Sequence, residues 1–325
     1  MATALAAMMS MPAVELVSAP TPIEEMKRLA AALGPASPRL FVKRDDLLSF
    51  GCGGNKVRKI QTVVAEAKSQ GADALITCGG VQSNHARVTA AAGAALGMKV
   101  VLVVNGTEQA QPTANARLDR LFGAEIRHVS SRDERAPAME QAAADLRAAG
   151  HRPFVVPLGA STATGALGFA RGVAELSASG IKADVILHAS SSGGTQAGLI
   201  AGCALLGLRA NVIGISADES SESLRGIVSG LLDGMAERLG AKRETIDAGR
   251  QIDVDDSQVG GGYGVPTTAS TEALELVARR EGILLDPVYT AKALAGLIAR
   301  VRAGAFEPGQ TVLFWHTGGQ VGYFA

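Results

Sequence analysis

Short apolar runs alternate with longer, Ala- and Gly-rich stretches of helical period from about residue 40 to the end of the chain. Runs of the first kind read as buried strands: Leu40 to Lys43, Ala74 to Thr77, Lys99 to Val104, Glu125 to Val129, Phe154 to Val156, Val185 to Leu187, Val212 to Ser216 and Val312 to Trp315. Between them the spacing predicts helices over about Val57–Gln70, Ser83–Leu96, Ala114–Phe122, Pro137–Ala149, Thr164–Ser179, Thr195–Leu206, Glu222–Leu239, Thr271–Glu281 and Thr290–Val301. A further short helix, Ile23 to Leu33, is expected in the proline-containing N-terminal part. Strand–helix alternation of this kind makes parallel βαβ units with right-handed crossovers. Two such series predict an α/β protein of two open, mostly parallel twisted sheets flanked by helices. The ligand cleft is expected between them, at strand C-terminal ends.

Length and charge narrow the classes of function. A chain of 325 residues, 47% hydrophobic, is ample for two domains. Lys plus Arg equals Asp plus Glu, 31 each, so no basic face for nucleic acid or an acidic membrane is expected. The three cysteines, Cys52, Cys78 and Cys203, lack metal-ligand spacing and disulfide logic; no metal site and a reducing, cytoplasmic setting are expected. The Ala- and Met-rich start has no basic residue ahead of its apolar run and reads poorly as a signal peptide, and no stretch reads as a membrane span.

The chemistry concentrates at strand-to-helix junctions. In SFGCGGNKVRK, residues 49–59, a glycine turn delivers Lys56, with Arg58 and Lys59 close behind. A lysine desolvated near other cations loses proton affinity and becomes a nucleophile able to form a Schiff base. Taken alone, the stretch is equally a turn that starts a basic, solvated helix. Asp45 and Asp46 just before it read as a helix cap that neutralises nearby cations. CGGVQSNHAR, residues 78–87, presents Gln82, Ser83, Asn84 and His85 at a helix N-terminus. That is a seat for a carboxylate, and more polarity than a cap requires. SSSGGTQAGL, residues 190–199, brings Ser192, Gly193, Gly194 and Thr195 to another helix start. It is neither a Walker A loop nor a dinucleotide fingerprint, which leaves a monophosphate. Tyr263, Tyr289 with Thr290, and Thr317 of the HTGG turn complete the candidates.

A reactive-lysine turn, a polar helix start and a monophosphate loop point to pyridoxal 5′-phosphate. In this order KRDD, GGNKVRK, GGVQSNHAR, SGGTQAGL, DPVYT and HTGG resemble the D-cysteine desulfhydrase/1-aminocyclopropane-1-carboxylate (ACC) deaminase family of fold-type II enzymes. The resemblance runs from Leu40 to the C-terminus. It implies a larger cofactor-binding domain of residues 1–52 plus 166–325, a smaller α/β domain of residues 53–165, and a homodimer. Lys56 would be the Schiff-base lysine and Lys59 would reach the phosphate, held by Ser192, Gly193, Gly194 and Thr195. Asn84 would face the phenolic oxygen, and Thr317, with Thr290, the pyridine nitrogen. Ser83 would contact the substrate and share in proton transfer, and Tyr263 and Tyr289 would lie beside it, with Gln82 and His85 also in the substrate wall. Ser191 departs from the glycine frequent in the family loop.

ACC deaminases carry Glu and Leu where this chain has Thr290 and Thr317, so the resemblance implies the desulfhydrase-like reaction. D-cysteine would give pyruvate, hydrogen sulfide and ammonia through loss of the Cα proton and of the β-substituent. ACC deamination and L-cysteate sulfo-lyase activity are the enzymatic alternatives. A non-catalytic binder of a phosphorylated metabolite is the alternative of another class.

Overall fold

The computed structural model describes residues 1–17, 20–307 and 309–325. Ten strands form two sheets: β1 Ile23–Glu25, β2 Arg39–Arg44, β3 Ala74–Gly80, β4 Lys99–Asn105, β5 Glu125–Val129, β6 Pro153–Val155, β7 Val185–Ser190, β8 Asn211–Ser216, β9 Asp253–Asp255 and β10 Thr311–His316. The larger sheet has the order β1-β2-β10-β7-β8-β9 and the smaller β5-β4-β3-β6. Every pairing is parallel except β1 with β2.

Both faces of each sheet are covered, which is why the central strands are apolar without alternation. One face of the larger sheet packs Leu313, Ile186 and Val212 under helices Ala163–Ala170, Gly194–Leu205 and Ser221–Arg238. The other packs Leu187, Phe314 and Ile213 under Lys27–Leu33, Thr268–Glu281 and Thr290–Arg302. In the smaller sheet, Leu75 and Leu102 meet helices Asn55–Ser69 and Asn84–Leu96, while Ile76 and Val101 meet Arg135–Ala148.

Two expectations are corrected. The predicted helix Ile23–Leu33 is instead β1 followed by the helix Lys27–Leu33, because residues 23–25 pair with β2 and Met26 leaves the helical region (φ −88°, ψ 65°). The helix Thr164–Ser179 is two, Ala163–Ala170 and Val173–Ala178. Gly172 at the break lies so close to Arg58 that an added Cβ would sit 2.9 Å from the guanidinium. A helix Ala2–Ser10, a helix Arg243–Asp247 and β9 were not anticipated; each is short, and local periodicity is weak over so few residues.

Candidate active site

The lysine turn is built by close backbone approach. Gly53 and Gly54 adopt φ +74° and +97°. A Cβ on Gly53 would lie 2.4 Å from the Leu48 carbonyl oxygen, and one on Gly54 3.0 Å from that of Thr317. Only glycine fits such positions. Asn55 opens the following helix and ties three segments together. Its backbone N–H donates to the Thr317 carbonyl (3.0 Å) and its side-chain Nδ2 to Thr195 Oγ1 (2.8 Å). Lys56 then enters a cleft of about 1020 Å³, counted to its solvent mouth. Burial lowers the Lys56 ammonium to about 8, with Asp286 opposing and Arg87 assisting.

Arg58 points away from the cleft. It donates to Asp45 (2.7 Å) and Glu175 (2.7 Å), and Asp45 also accepts from the Trp315 indole (2.8 Å). Lys43 pairs with the same Glu175, and Arg44 with Asp46. The KRDD segment is therefore a buried ion network beneath the turn.

Ser192, Gly193 and Thr195 line the cleft, while Gly194 sits just behind them. Gly193 is left-handed (φ +74°). A Cβ on Gly194 would meet Ser161 Oγ at 2.6 Å and Lys59 Nζ at 2.9 Å. Lys59 is buried and donates to the Gly159 carbonyl (3.2 Å) and Ser161 Oγ (3.1 Å). Burial, then Lys56, holds it well below the usual lysine range. A buried amine whose partners among the described residues are a carbonyl and a hydroxyl, under a helix N-terminus, is a seat built for an anion, and the phosphate of pyridoxal phosphate fits it.

Ser83 caps the helix Asn84–Leu96, accepting from the Ala86 N–H (3.2 Å), and still faces the cleft. Asn84 Oδ1 accepts from Arg87 (3.2 Å) and Asn115 (2.9 Å). With the oxygen occupied, its Nδ2 is left to donate. His85 lines the cleft as a neutral ring, held well below its ordinary pKa chiefly by burial. Thr77 gives its proton to the Val156 carbonyl (2.7 Å), so His85 Nε2 must donate to Thr77 Oγ1 (2.7 Å), leaving Nδ1 proton-free. Gln82 is not in the wall; it donates to the Thr113 carbonyl (3.3 Å) and accepts from the Asn115 N–H (2.9 Å).

On the opposite side, the hydroxyls of Tyr263 and Tyr289 are 2.7 Å apart, and burial pushes both above the usual tyrosine value. Thr317 is in the wall. Thr290 is not: it is fully buried and spent on Asp286, donating to Oδ1 at 2.6 Å and accepting from the Asp286 N–H at 2.8 Å. Of the expected residues, then, Lys56, Ser83, Asn84, His85, Ser192, Gly193, Thr195, Tyr263, Tyr289 and Thr317 converge on one cleft, with Lys59 and Gly194 directly behind. Sequence reading missed Ser161, Asp218, Arg132 and Arg135. Ser161, Asp218 and Arg132 stand in irregular segments and Arg135 at the first turn of the helix Arg135–Ala148, and only the signal "polar residue just past a strand" was there to find them.

Comparison with known proteins points to the same cofactor. The family described as pyridoxal-phosphate dependent enzyme matches residues 14–318. The chain is 37% identical over 322 residues to a D-cysteine desulfhydrase of Klebsiella pneumoniae, covering 97% of this chain and 96% of that protein. It is 39% identical over 321 residues to a 1-aminocyclopropane-1-carboxylate deaminase of Burkholderia cenocepacia, covering 95% and 94%. A crystal structure of an ACC deaminase homologue superimposes with a TM-score of 0.91 at 37% identity, covering 99% of this chain and 96% of that one. A pyridoxal 5′-phosphate-dependent aspartate racemase shares the fold, with a TM-score of 0.70 at 18% identity and coverage of 92% and 90%.

Proposed function

Since this chain belongs to the family of pyridoxal-phosphate-dependent enzymes, we propose that it is a carbon–sulfur lyase that eliminates the β-substituent of a small amino acid, with D-cysteine going to pyruvate, hydrogen sulfide and ammonia. The observation that carries this reading is the placement of Lys56, lowered to about 8, in one cleft with the Ser192–Thr195 anion seat.

When bound, the cofactor supplies an electron sink for the charge that develops at Cα. The chain's own residues do the rest. Ser192, Gly193, Gly194 and Thr195, backed by Lys59 and Ser161, would hold the phosphate. Lys56 would anchor the cofactor covalently, and as a free amine it is a base of suitable strength for the Cα proton. Asn84 Nδ2 would be the donor for the ring's phenolic oxygen. The N-terminus at Ser83–Asn84 receives the substrate carboxylate, and Ser83 Oγ orients the reacting centre. Tyr263 and Tyr289 stay protonated at neutral pH, so the pair is suited to give a proton to the departing sulfide rather than to take one. Thr317 would offer the ring nitrogen a neutral hydroxyl, which would weaken the sink and favour a reaction in which Cβ expels its own leaving group over the opening of a cyclopropane.

The proposal extends to a homodimer working in the cytoplasm, in keeping with the free thiols of Cys52, Cys78 and Cys203. Among the described residues no helix is long and apolar enough to cross a membrane. The test is a panel of β-substituted amino acids and ACC, assayed together for keto acid, ammonia, sulfide and sulfite on cofactor-loaded enzyme, with light scattering for the dimer. Sulfide and pyruvate in equal amounts from D-cysteine support the reading. 2-Oxobutyrate from ACC with no sulfide from D-cysteine overturns it.

A further inference from the structure

Lys292 is fully buried and takes no part in that scheme. It stands in the first turn of the helix Thr290–Arg302, whose N-cap is Tyr289. Its Nζ donates to the main-chain carbonyls of Ala217 (3.1 Å), Val259 (2.8 Å) and Gly262 (2.8 Å). An ammonium has three N–H donors and a neutral amine two, so three carbonyl acceptors are matched only by the charged form. Burial lowers its proton affinity, with Asp218 opposing. A cation held by carbonyl oxygens has exchanged its hydration shell for main-chain dipoles, as a bare ion does in a carbonyl cage.

The three carbonyls belong to two loops that reach the cleft. Ala217 follows β8 and precedes Asp218, which lines the cleft and pairs with Arg132 at 3.7 Å. Val259 and Gly262 lie between β9 and the helix Thr268–Glu281, just before Tyr263, whose ring lies under Arg132 (5.1 Å to the centroid). This second loop is costly to order. Gly260, Gly262 and Gly264 sit at φ +60°, +111° and +74°, and glycine loses more backbone freedom on folding than any other residue. The start of one helix fastens it at two points. The Tyr263 hydroxyl meets that of Tyr289 (2.7 Å), and the Gly262 carbonyl meets Lys292. The side chain of Tyr263 and the backbone just before it are thus referred to the same rigid element.

We propose that Lys292 is a positioning residue, a tethered cation that draws the carbonyls of Ala217, Val259 and Gly262 together and so fixes Asp218 and Tyr263 in the cleft wall. Its effect on turnover rests on the lyase reading; the cage itself rests on the three carbonyls. The same geometry makes the cage, once emptied of the lysine side chain, a site for a free monovalent cation. Potassium is of a size to contact carbonyl oxygens at the 2.8 Å seen here. Sodium is too small for that spacing and tetramethylammonium, which has no N–H and is far wider, too large.

The test compares cofactor-loaded wild type, Lys292→Ala and Lys292→Met in potassium, sodium and tetramethylammonium chloride at equal ionic strength. Lys292→Ala opens the cage. Its kcat/KM for D-cysteine is expected to fall on the order of 100-fold in tetramethylammonium, the usual cost of a small misplacement near the reacting atoms. Potassium is expected to restore about tenfold or more of that loss, and sodium less. Lys292→Met fills the space without a charge, so it should show the loss and no recovery. Wild type should respond to the three salts alike. A readout free of turnover is hydrogen exchange without substrate. Amides of residues 259–264 should exchange faster in both variants and slow again with potassium in Lys292→Ala alone, while β7 and β10 stay protected. If Lys292→Ala does not fold, faster exchange confined to that loop in Lys292→Met supports the proposal and unchanged exchange overturns it. Equal effects of potassium and tetramethylammonium on Lys292→Ala, or turnover and exchange unchanged in both variants, would also overturn it. If wild type yields pyruvate from no β-substituted amino acid, the lyase reading fails instead, and the potassium-dependent exchange still decides the cage.

Discussion

The side-chain amide of Asn55 donates to Thr195 Oγ1 across 2.8 Å, both groups buried. It locks the residue before Lys56 to the first turn of the helix that forms the anion seat. The nucleophile and the phosphate thus share one rigid coordinate frame although 140 positions separate the two residues in sequence.

That bond predicts coupling. Thr195→Val is expected to weaken cofactor retention by about 1–3 kcal/mol, since backbone N–H groups supply most of the seat. Asn55→Ala should cost a similar amount, and the double variant less than the sum by about 0.5–1 kcal/mol or more. Titration of apoprotein with pyridoxal phosphate gives all four affinities. Strict additivity would break the link.

Lys56→Ala is expected to abolish both turnover and the absorbance of the lysine-bound cofactor, and borohydride should label a wild-type peptide containing Lys56. Its lowered pKa also has a sign. Folded Lys56 titrates near 8 and an unfolded lysine near ~10.4, so between these pH values the unfolded chain holds more protons and stability rises with pH. In cofactor-free protein, Lys56→Met should therefore stabilise by about 1–3 kcal/mol at pH 7, and this advantage should shrink as pH rises from 8 to 10. Urea unfolding at pH 7, 8.5 and 10 measures it; a constant difference rules the shift out.

Asp119 makes the opposite case. It is buried beside Arg87, with Oδ1 lacking a partner among the described residues, and burial raises its carboxyl to about 7 against the pull of Arg87. Here the folded state holds the extra proton between pH ~4 and 7, so stability falls as pH rises through that window. Asp119→Asn should be close to neutral at pH 4 and stabilising by about 2–4 kcal/mol at pH 8. Melts at the two pH values check this, and equal effects at both would count against it.

What could be read from sequence followed physical range. The strands from β2 onward, β9 excepted, and the longer helices between them were legible, the break near Gly172 and the short helix Arg243–Asp247 excepted, because burial on both faces writes long apolar runs. So was the convergence of Lys56, Ser83 and Thr195, since each follows a strand whose C-terminal end must face the cleft. β1 was not legible: its three residues owe their extended form to pairing with β2, a contact 16 to 20 residues away along the chain. Nor could sequence show that Gln82 turns to Thr113, or that Ser161 braces Lys59, 102 positions distant. Arg132 and Arg135 sat in a charged stretch indistinguishable from a solvated loop until the fold brought it to the cleft.

The last prediction separates two threonines that sequence treats alike. Thr317 lies in the cleft wall, whereas Thr290 is buried and exchanges hydrogen bonds with Asp286. If the ring nitrogen takes its neutral partner from Thr317, Thr317→Leu should lower sulfide release from D-cysteine about tenfold or more while changing stability by less than about 1 kcal/mol. Thr290→Val should do the reverse. It strips a 2.6 Å bond from a buried carboxylate, at about 1.5–3 kcal/mol of stability, with turnover of the loaded enzyme held within about threefold. Replacing Thr290 with Glu and Thr317 with Leu together should suppress elimination, since a carboxylate that reached the ring would hold its nitrogen protonated. Sulfide and pyruvate from D-cysteine, 2-oxobutyrate from ACC, and urea midpoints would be recorded for all four proteins. Loss of chemistry without loss of stability in Thr290→Val would make Thr290 the ring's partner and remove Thr317 from that role.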